Sequence, residues 1–349
     1  MLINTLFDAG GVPINRTAYN TLLGGSTETH TRSAKELILY AKENPLEPII
    51  RGLVNKGDIL LLHGVEETFK SVLVLQMAEG LALGRPLLQT WDVPKPRRVG
   101  VIETEIHEVA LGERLEKMFP SEAPENLLVM GEKAMPDWRR RTMDGKFEII
   151  QGWIDEVGIE LLMIDTVNDF FRGNDDSSVE RHAGKFFDEL RNLRVNGRII
   201  VRHDRKRRAD GEEGSNTNER IRGSGEWKED PEAILFVERP DHRTHEVNLE
   251  VGKLRYGRKR PPISAWFDAK TFRLTPLPPV IAMLAERECS RRDLISGAKE
   301  RFDLCERKVD EILFSAHEFL IERQAGHEKC FSLDLERARN KAPWWEFLS

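Results

Sequence analysis

Short apolar runs alternate with helix-forming stretches through most of this chain, and this alternation constrains the fold more than any other sequence feature. Seven runs have the length of buried strands: residues 59–63, 99–103, 127–130, 161–164, 199–201, 233–237 and 247–251. Helical patterns lie between many of them, at residues 71–83, 108–118, 146–156 and 178–195. Strands that alternate with helices form parallel sheets with helices on both faces. The sequence therefore predicts an α/β fold with a mostly parallel central sheet.

The apolar runs are too short for a membrane protein. The longest, such as residues 59–62 and 161–164, fall far below the ~20 apolar residues that span a bilayer. The first residues have neither the basic nor the apolar segment of a secretion signal. Three cysteines in 349 residues make no disulfide framework. We therefore expect a cytoplasmic protein with no membrane partner.

The chain is long enough for more than one domain. Residues 1–45 read as an arm rich in small polar residues that leads into a short helix, and residues 46–275 hold the strand–helix alternation. Pro276, Pro278 and Pro279 mark a boundary. Helical patterns at 280–287, 291–302 and 306–321 follow, and then a strand pattern at 329–333. Three helices with a small β-wing predict a winged-helix module at residues 276–349.

A phosphate-binding motif follows the first long apolar run. Residues 64–71 read G-x-x-x-x-F-K-S, one residue away from the P-loop pattern. Such a loop wraps backbone N–H groups around phosphate at a helix start, with a lysine on the phosphates and a hydroxyl on Mg²⁺. The predicted nucleotide-binding residues of this segment are Gly64, Glu67, Thr68, Phe69, Lys70, Ser71 and Val72.

The motif departs from the usual pattern at two places. Phe69 stands where a glycine is expected, and its side chain restricts φ. Glu66 and Glu67 place negative charge in a loop that should hold phosphate. Taken alone, the segment also fits an ordinary strand–turn–helix. The departures leave open a protein that binds nucleotide without efficient hydrolysis.

Two further apolar runs end in carboxylates. Asp165 follows the run at 161–164, and Glu105 follows the run at 99–103. The carboxyl ends of parallel strands meet at one edge of the sheet. We therefore predict that Ser71 and Asp165 hold Mg²⁺, and that a carboxylate near Glu105 accepts a proton from the attacking water.

These motifs resemble the RecA-type ATPases related to hexameric replicative helicases, in particular the RepA-like group and more distantly DnaB. The resemblance covers residues 33–275. It is also carried by Lys56-Gly57 at the strand entry, by Gly84-Arg-Pro after the first helix of the core and by Trp91 before a Val-Pro turn. It implies a RecA-like fold that uses ATP and Mg²⁺, with Glu105, followed by Arg114, as the catalytic glutamate.

The resemblance implies three further roles. His203 lies in a polar strand-end motif that is similar to the family's sensor of the γ-phosphate. Lys253 and Arg255 resemble a K-x-R pair that reaches into the ATP site of the neighbouring subunit, which implies a homo-oligomer, expected to be a hexamer. A cation that arrives from a neighbour would stabilise charge on the transferred phosphoryl group. Without the resemblance, Lys253 and Arg255 also fit a polar strand face.

The net charge of −6 argues against a uniformly basic nucleic-acid binder but allows local basic patches. Residues 202–222 contain seven basic and five acidic residues, and residues 253–260 contain five basic and none acidic. In RecA-type rings, loops at the position of 205–222 line the channel, so we expect single-stranded DNA as a partner. The alternative is a solvated surface loop. The predicted DNA contacts are Arg205, Lys206, Arg207, Arg208, Arg220 and Arg222.

The sequence thus favours an oligomeric, ATP-dependent DNA motor of the RepA-like kind, encoded by a plasmid, phage or other mobile element and active in DNA replication. A non-motor, nucleotide-binding DNA regulator or assembly factor is the main alternative, because the P-loop is degenerate. A transcription factor built on the terminal module is a weaker one. With 12 basic and 14 acidic residues in 276–349, that module fits a protein-docking role better than specific DNA reading. Its cysteines and histidines do not have zinc-site spacing.

Overall fold

The structure is a computed structural model. It describes residues 32–135, 137–171, 182–204, 225–325 and 328–342. Contacts divide the chain into two units, residues 1–46 and residues 47–349. Within the described ranges, no helix is both long enough and apolar enough to cross a bilayer.

The first unit contributes one described helix, α1 (Ala34–Glu43). Ser33 caps it, because its hydroxyl accepts a hydrogen bond from the Glu36 N–H and the Glu36 carboxylate accepts one from the Ser33 N–H. The short helix predicted for this segment is therefore confirmed. None of the residues of α1 is buried.

The second unit is built around a nine-stranded sheet. Before it, β1 (Pro48–Ile50) and β2 (Val54–Asn55) form a small antiparallel pair. In chain order the nine strands are β3 (Ile59–Val65), β4 (Val99–Glu103), β5 (Leu127–Met130), β6 (Leu161–Asp165), β7 (Gly197–Asp204), β8 (Ala233–Glu238), β9 (Glu246–Leu254), β10 (Ile263–Asp268) and β11 (Arg273–Thr275).

The strand order across the sheet is β11-β10-β9-β8-β3-β7-β6-β4-β5. The six strands from β8 to β5 are parallel, and β9, β10 and β11 extend the sheet in antiparallel fashion. The predicted α/β class with a mostly parallel sheet is therefore confirmed. The sequence did not predict β10 and β11. Both lie at the antiparallel end and are only partly buried, so their apolar runs are short and interrupted.

Helices cover both faces of the sheet. They are α2 (Lys70–Leu83), α3 (Glu108–Met118), α4 (Met143–Val157), α5 (Ala183–Asn192) and the short α6 (Glu226–Glu229). Because side chains alternate along a strand, Leu60 and Leu62 pack in the apolar cluster that contains α2, whereas Ile59 and Leu61 pack in the cluster that contains α4 and α5. This burial on both faces explains why the parallel strands are continuously apolar.

The remaining elements form a module with its own apolar cluster. They are α7 (Pro279–Glu286), β12 (Cys289–Ser290), α8 (Arg291–Phe302), α9 (Glu306–Ser315), β13 (Leu320–Ala325), β14 (Glu328–Leu333) and α10 (Leu335–Lys341). The three strands pair in the order β12-β14-β13. That this module is a winged helix stays a prediction. The predicted domain boundaries also stay predictions, because 276–349 belongs to the same contact unit as the sheet.

One helix boundary in this module was predicted wrongly. The pattern at 306–321 predicted a single helix, but α9 ends at Ser315, and β13 begins at Leu320 and pairs with β14. Strand β13 is mostly exposed, so it lacks the apolar alternation by which a strand is recognised. Pairing with β14 determines its conformation.

A buried ion pair attaches this module to the sheet. Arg301 on α8 donates hydrogen bonds to both carboxylate oxygens of Asp268, the last residue of β10. Arg301 is 9% exposed and Asp268 is 4% exposed. The same guanidinium also contacts the Glu286 carboxylate, and the Arg301 carbonyl accepts a hydrogen bond from the Ala269 N–H at 2.9 Å.

We predict that Arg301→Ala lowers the free energy of unfolding by about 3 kcal/mol, because it leaves the Asp268 carboxylate buried without its partner. Chemical denaturation of the full chain measures this change. Arg291→Ala, on the same helix, is the matched control, since Arg291 binds Asp310 and Glu306 in solvent and should have little effect. Equal effects of the two substitutions would show that the buried Arg301–Asp268 pair stabilises the fold no more than an exposed pair does.

Candidate functional site

The phosphate loop occupies the carboxyl end of β3. Gly64 is buried beside β8, where an added Cβ would lie 2.1 Å from the Val237 carbonyl oxygen. Only glycine permits this approach of the two strands. The loop then turns into α2, whose first residue is Lys70. The predicted strand–loop–helix is therefore present.

Lys70 lies inside the loop, only 2% exposed. Its ammonium group donates to the Val65 carbonyl and, at 3.1 Å, to the Thr68 hydroxyl. Thr68 in turn donates to the Val65 carbonyl at 2.9 Å. Val72 packs into the core behind the loop. The loop is thus a closed turn that keeps the lysine at the start of α2, where backbone N–H groups and the helix dipole favour an anion.

Glu66 and Glu67 are both exposed. Their carboxylates therefore lie where water can screen them, and the negative charge predicted to disturb phosphate binding is weakened. Phe69 adopts a left-handed conformation, with φ of 63°. This is the backbone that a glycine at this position would supply without strain.

The strand order brings the predicted acids to the same edge of the sheet. Strand β7 lies between β3 and β6, and its His203 pairs with Gly64 across the ladder. On the far side, Asp165 at the end of β6 pairs with Glu103 at the end of β4. The carboxyl ends of these strands therefore form one continuous row, as the sequence predicted.

Asp165 is the central acid of this row and is 2% exposed. Burial raises its pKa, whereas the nearby Ser71 hydroxyl, His203 ring and Lys70 ammonium lower it. Among the described residues, no donor of normal hydrogen-bond geometry reaches either of its carboxylate oxygens. A buried carboxylate that accepts no hydrogen bond of normal geometry, next to a serine at a helix start, fits a Mg²⁺ ion. Ser71 and Asp165 would hold that ion, which would neutralise phosphate charge when bound.

Glu105 and His203 form a second pair at this edge. The distance from His203 Nε2 to Glu105 Oε2 is 3.3 Å. The Glu105 side chain is half-exposed, and the His203 side chain is largely buried. A solvent-accessible carboxylate beside the phosphate loop can accept a proton from water.

Glu103 is a site residue that the sequence did not single out. The pKa of Glu103 is raised to about 8, first by burial and then by the charge of the adjacent Asp165 carboxylate. Its Oε1 accepts hydrogen bonds from the N–H groups of Glu105 at 2.9 Å and Ile106 at 3.2 Å. Glu103 thus orients the segment that carries Glu105. The run at 99–103 did end in this acid, but its burial depends on β6 and could not be read from the run.

Lys253 and Arg255 lie at the opposite edge of the sheet. Because β9 is antiparallel, Lys253 is level with Ile234 of β8 and so with Leu61, near the start of β3. Four residues of strand, about 13 Å, separate this level from the phosphate loop. Lys253 donates to the carbonyls of Lys228 and Glu229 at 2.7 Å each. Neither cation belongs to the site of its own subunit, and their predicted action on a neighbour stays a prediction.

Arg255 contacts the same backbone segment as Lys253. It donates to the Glu229 carbonyl at 2.9 Å and to the Glu232 carboxylate at 3.2 Å. Burial, and then the charge of Arg255, lower the pKa of Lys253. The predicted DNA contacts Arg205, Lys206, Arg207, Arg208, Arg220 and Arg222 lie outside the described residues.

The raised pKa of Glu103 predicts a pH-dependent stability. In the folded protein, the Glu103 carboxyl keeps its proton up to about pH 8. In the unfolded chain, it loses this proton near the ordinary pKa of 4.5. The contribution of this proton to the free energy of unfolding is therefore fully present below pH 4.5 and is lost as the pH rises through 8.

Glu103→Gln should reduce the fall in unfolding free energy between about pH 6 and about pH 8 by about 2 kcal/mol, because glutamine carries no titrating proton. Thermal or chemical denaturation at several pH values measures it. Glu113→Gln, on the exposed side of α3, is the control and should keep the wild-type slope. If the unfolding free energy of Glu103→Gln falls with pH as steeply as that of the wild type, Glu103 is not the group that causes the fall.

Comparisons with known proteins identify a family and a similar solved structure. The model of a family described as AAA domain matches residues 28–209. Among solved structures, a KaiC-like protein from the hyperthermophilic archaeon Pyrococcus horikoshii OT3 is similar, with a TM-score of 0.46 and 13% identity over 66% of this chain and 94% of that one. No curated protein matches the sequence. Because the family model spans more than half of its length, the chain belongs to the AAA domain family.

Proposed function

We propose that the chain is an ATP-dependent, oligomeric motor that acts on single-stranded DNA in the manner of RepA-like replicative helicases. One observation carries this proposal. The residues expected to bind and hydrolyse ATP converge on one edge of the sheet, whereas the two cations expected to complete an ATP site are presented on the other. A head-to-tail arrangement of subunits would bring these two edges together and can close into a ring, expected to be a hexamer.

Each residue of the first edge has a role in this proposal. The loop N–H groups and Lys70 bind the phosphates, and Ser71 with Asp165 holds Mg²⁺. Glu105 accepts the proton of the attacking water, oriented by Glu103 through the N–H groups of 105 and 106. His203, 3.3 Å from Glu105, reports the γ-phosphate to the strand that leads into residues 205–224. Basic side chains in that segment would bind the DNA backbone.

Lys70→Ala should lower ATP turnover about 100-fold or more, because it removes the cation on the transferred phosphates. ATPase assays with and without single-stranded DNA measure this, and DNA should stimulate the wild type. Lys117→Ala, an exposed lysine near the end of α3, is the control and should behave as the wild type. Undiminished turnover in Lys70→Ala would place the activity elsewhere.

A mixing experiment tests the action of Lys253 on a neighbour. Lys253→Ala and Lys70→Ala should each be inactive alone, but equal mixing should restore turnover because about a quarter of the interfaces would then combine two intact halves. Lys70→Ala mixed with Ser71→Ala is the control, since both changes lie in the same half-site. No recovery in the first mixture would show that Lys253 does not act between subunits.

The second candidate is a nucleotide-binding regulator or assembly factor without motor activity. Phe69 in place of the loop glycine favours it, because a bulky residue in a left-handed conformation stiffens a loop that must follow the phosphates. It predicts nucleotide binding that Lys70→Ala abolishes, with no turnover stimulated by DNA. A docking role of residues 276–349 is compatible with either function.

A further inference from the structure

The phosphate loop contains two non-glycine residues in the left-handed region. They are Glu67, with φ of 61°, and Phe69, with φ of 63°. A side chain makes this conformation unfavourable by about 1 kcal/mol or more at each position. Such residues persist when surrounding contacts determine their conformation. In this loop, contacts to the Phe69 ring and to the Glu67 carbonyl are in a position to do so.

The ring of Phe69 is fixed by aromatic packing. It stacks on Phe267 of β10 with ring centroids 4.5 Å apart and planes inclined by 22°. The imidazole of His245 meets it edge-on at 5.5 Å. Phe267 belongs to the antiparallel extension of the sheet and His245 immediately precedes β9, so neither partner lies in the P-loop motif of the sequence.

Arg239 is the side chain that contacts both left-handed residues. Its Nη1 donates to the Glu67 carbonyl at 3.1 Å, and its guanidinium carbon lies 5.0 Å from the centre of the Phe69 ring. Its Nη2 donates to the carbonyls of His242 at 2.7 Å and Thr244 at 2.8 Å. The planar, forked guanidinium is therefore oriented by the turn after β8 and supports the loop from outside.

We propose that Arg239 is a positioning residue that holds the phosphate loop in its nucleotide-binding shape and that its contribution is required because Phe69 replaces glycine. It acts through the backbone at Glu67 and the ring of Phe69, without touching the phosphates. This proposal rests on nucleotide binding at the loop. It predicts that the need for Arg239 depends on the residue at position 69.

A double-mutant cycle with Phe69→Gly tests this dependence, with the dissociation constant for ADP in the presence of Mg²⁺ measured by calorimetry. Arg239→Ala should weaken ADP binding about tenfold in the wild-type background, because the loop then samples other conformations. In the Phe69→Gly background, the same change should weaken binding less than about threefold, because glycine adopts the left-handed conformation unaided.

Two further variants separate geometry from charge and from general damage. Arg239→Lys keeps the charge but cannot make the forked contacts, so it should bind ADP as weakly as Arg239→Ala. Arg243→Ala, in the same turn, is the matched control, because Arg243 is 89% exposed and binds only Asp241 among the described residues. It should bind ADP as the wild type does. Thermal unfolding identifies any variant that has lost its fold.

The outcomes distinguish this proposal from the function on which it rests. If the wild type binds ADP and Lys70→Ala does not, an equal loss from Arg239→Ala in both backgrounds, or no loss in either, overturns the role of Arg239 alone. Wild-type affinity in Arg239→Lys would show that only charge matters and would also overturn it. If the wild type does not bind ADP, nucleotide binding itself fails, and the role of Arg239 fails with it.

Discussion

A carboxylate buried at the end of a parallel sheet is unfavourable unless a cation lies beside it, and the site of this protein is organised around that constraint. Asp165 is almost inaccessible to solvent, and its neighbours across the sheet edge are Glu103, Ser71, His203 and Lys70. Burial raises the pKa of both Asp165 and Glu103, and the charge of Asp165 raises the pKa of Glu103 as well, as expected when two acids share a site. The proposed binding of phosphate and Mg²⁺ would require acidic ligands at this position, which would account for the unfavourable burial of two carboxyl groups.

Strands of both orientations contribute to this edge of the sheet. The parallel strands carry the candidate site residues to their carboxyl ends, and Phe69 of the phosphate loop packs against Phe267 of β10 and against His245, which immediately precedes β9. Asp268, the next residue after Phe267, binds Arg301 of the C-terminal module. The loop and the module therefore contact adjacent residues of β10.

The opposite edge of the sheet carries the cations Lys253 and Arg255. Lys253 and Arg255 are held by the carbonyls at the end of α6 and by Glu232. Helix α6 begins just after residues 205–224, the segment in which the predicted DNA contacts lie. Each subunit would thus present a nucleotide-binding edge and a cationic edge. This polarity suits head-to-tail assembly, in which one surface of a subunit meets a different surface of the next.

The sequence by itself determined the parallel core and the candidate phosphate loop, because a strand buried on both faces is continuously apolar and a phosphate loop needs fixed spacing. Lys70, Ser71, Asp165 and Glu105 were predicted from such local patterns. The tertiary structure alone decided the burial of Glu103, the strands β10 and β13, and the contacts of Arg239 with the loop. Each of these depends on partners distant in the chain, among them Asp165, β14 and Phe69. Local periodicity carries no information about such pairings, so packing and register had to supply it.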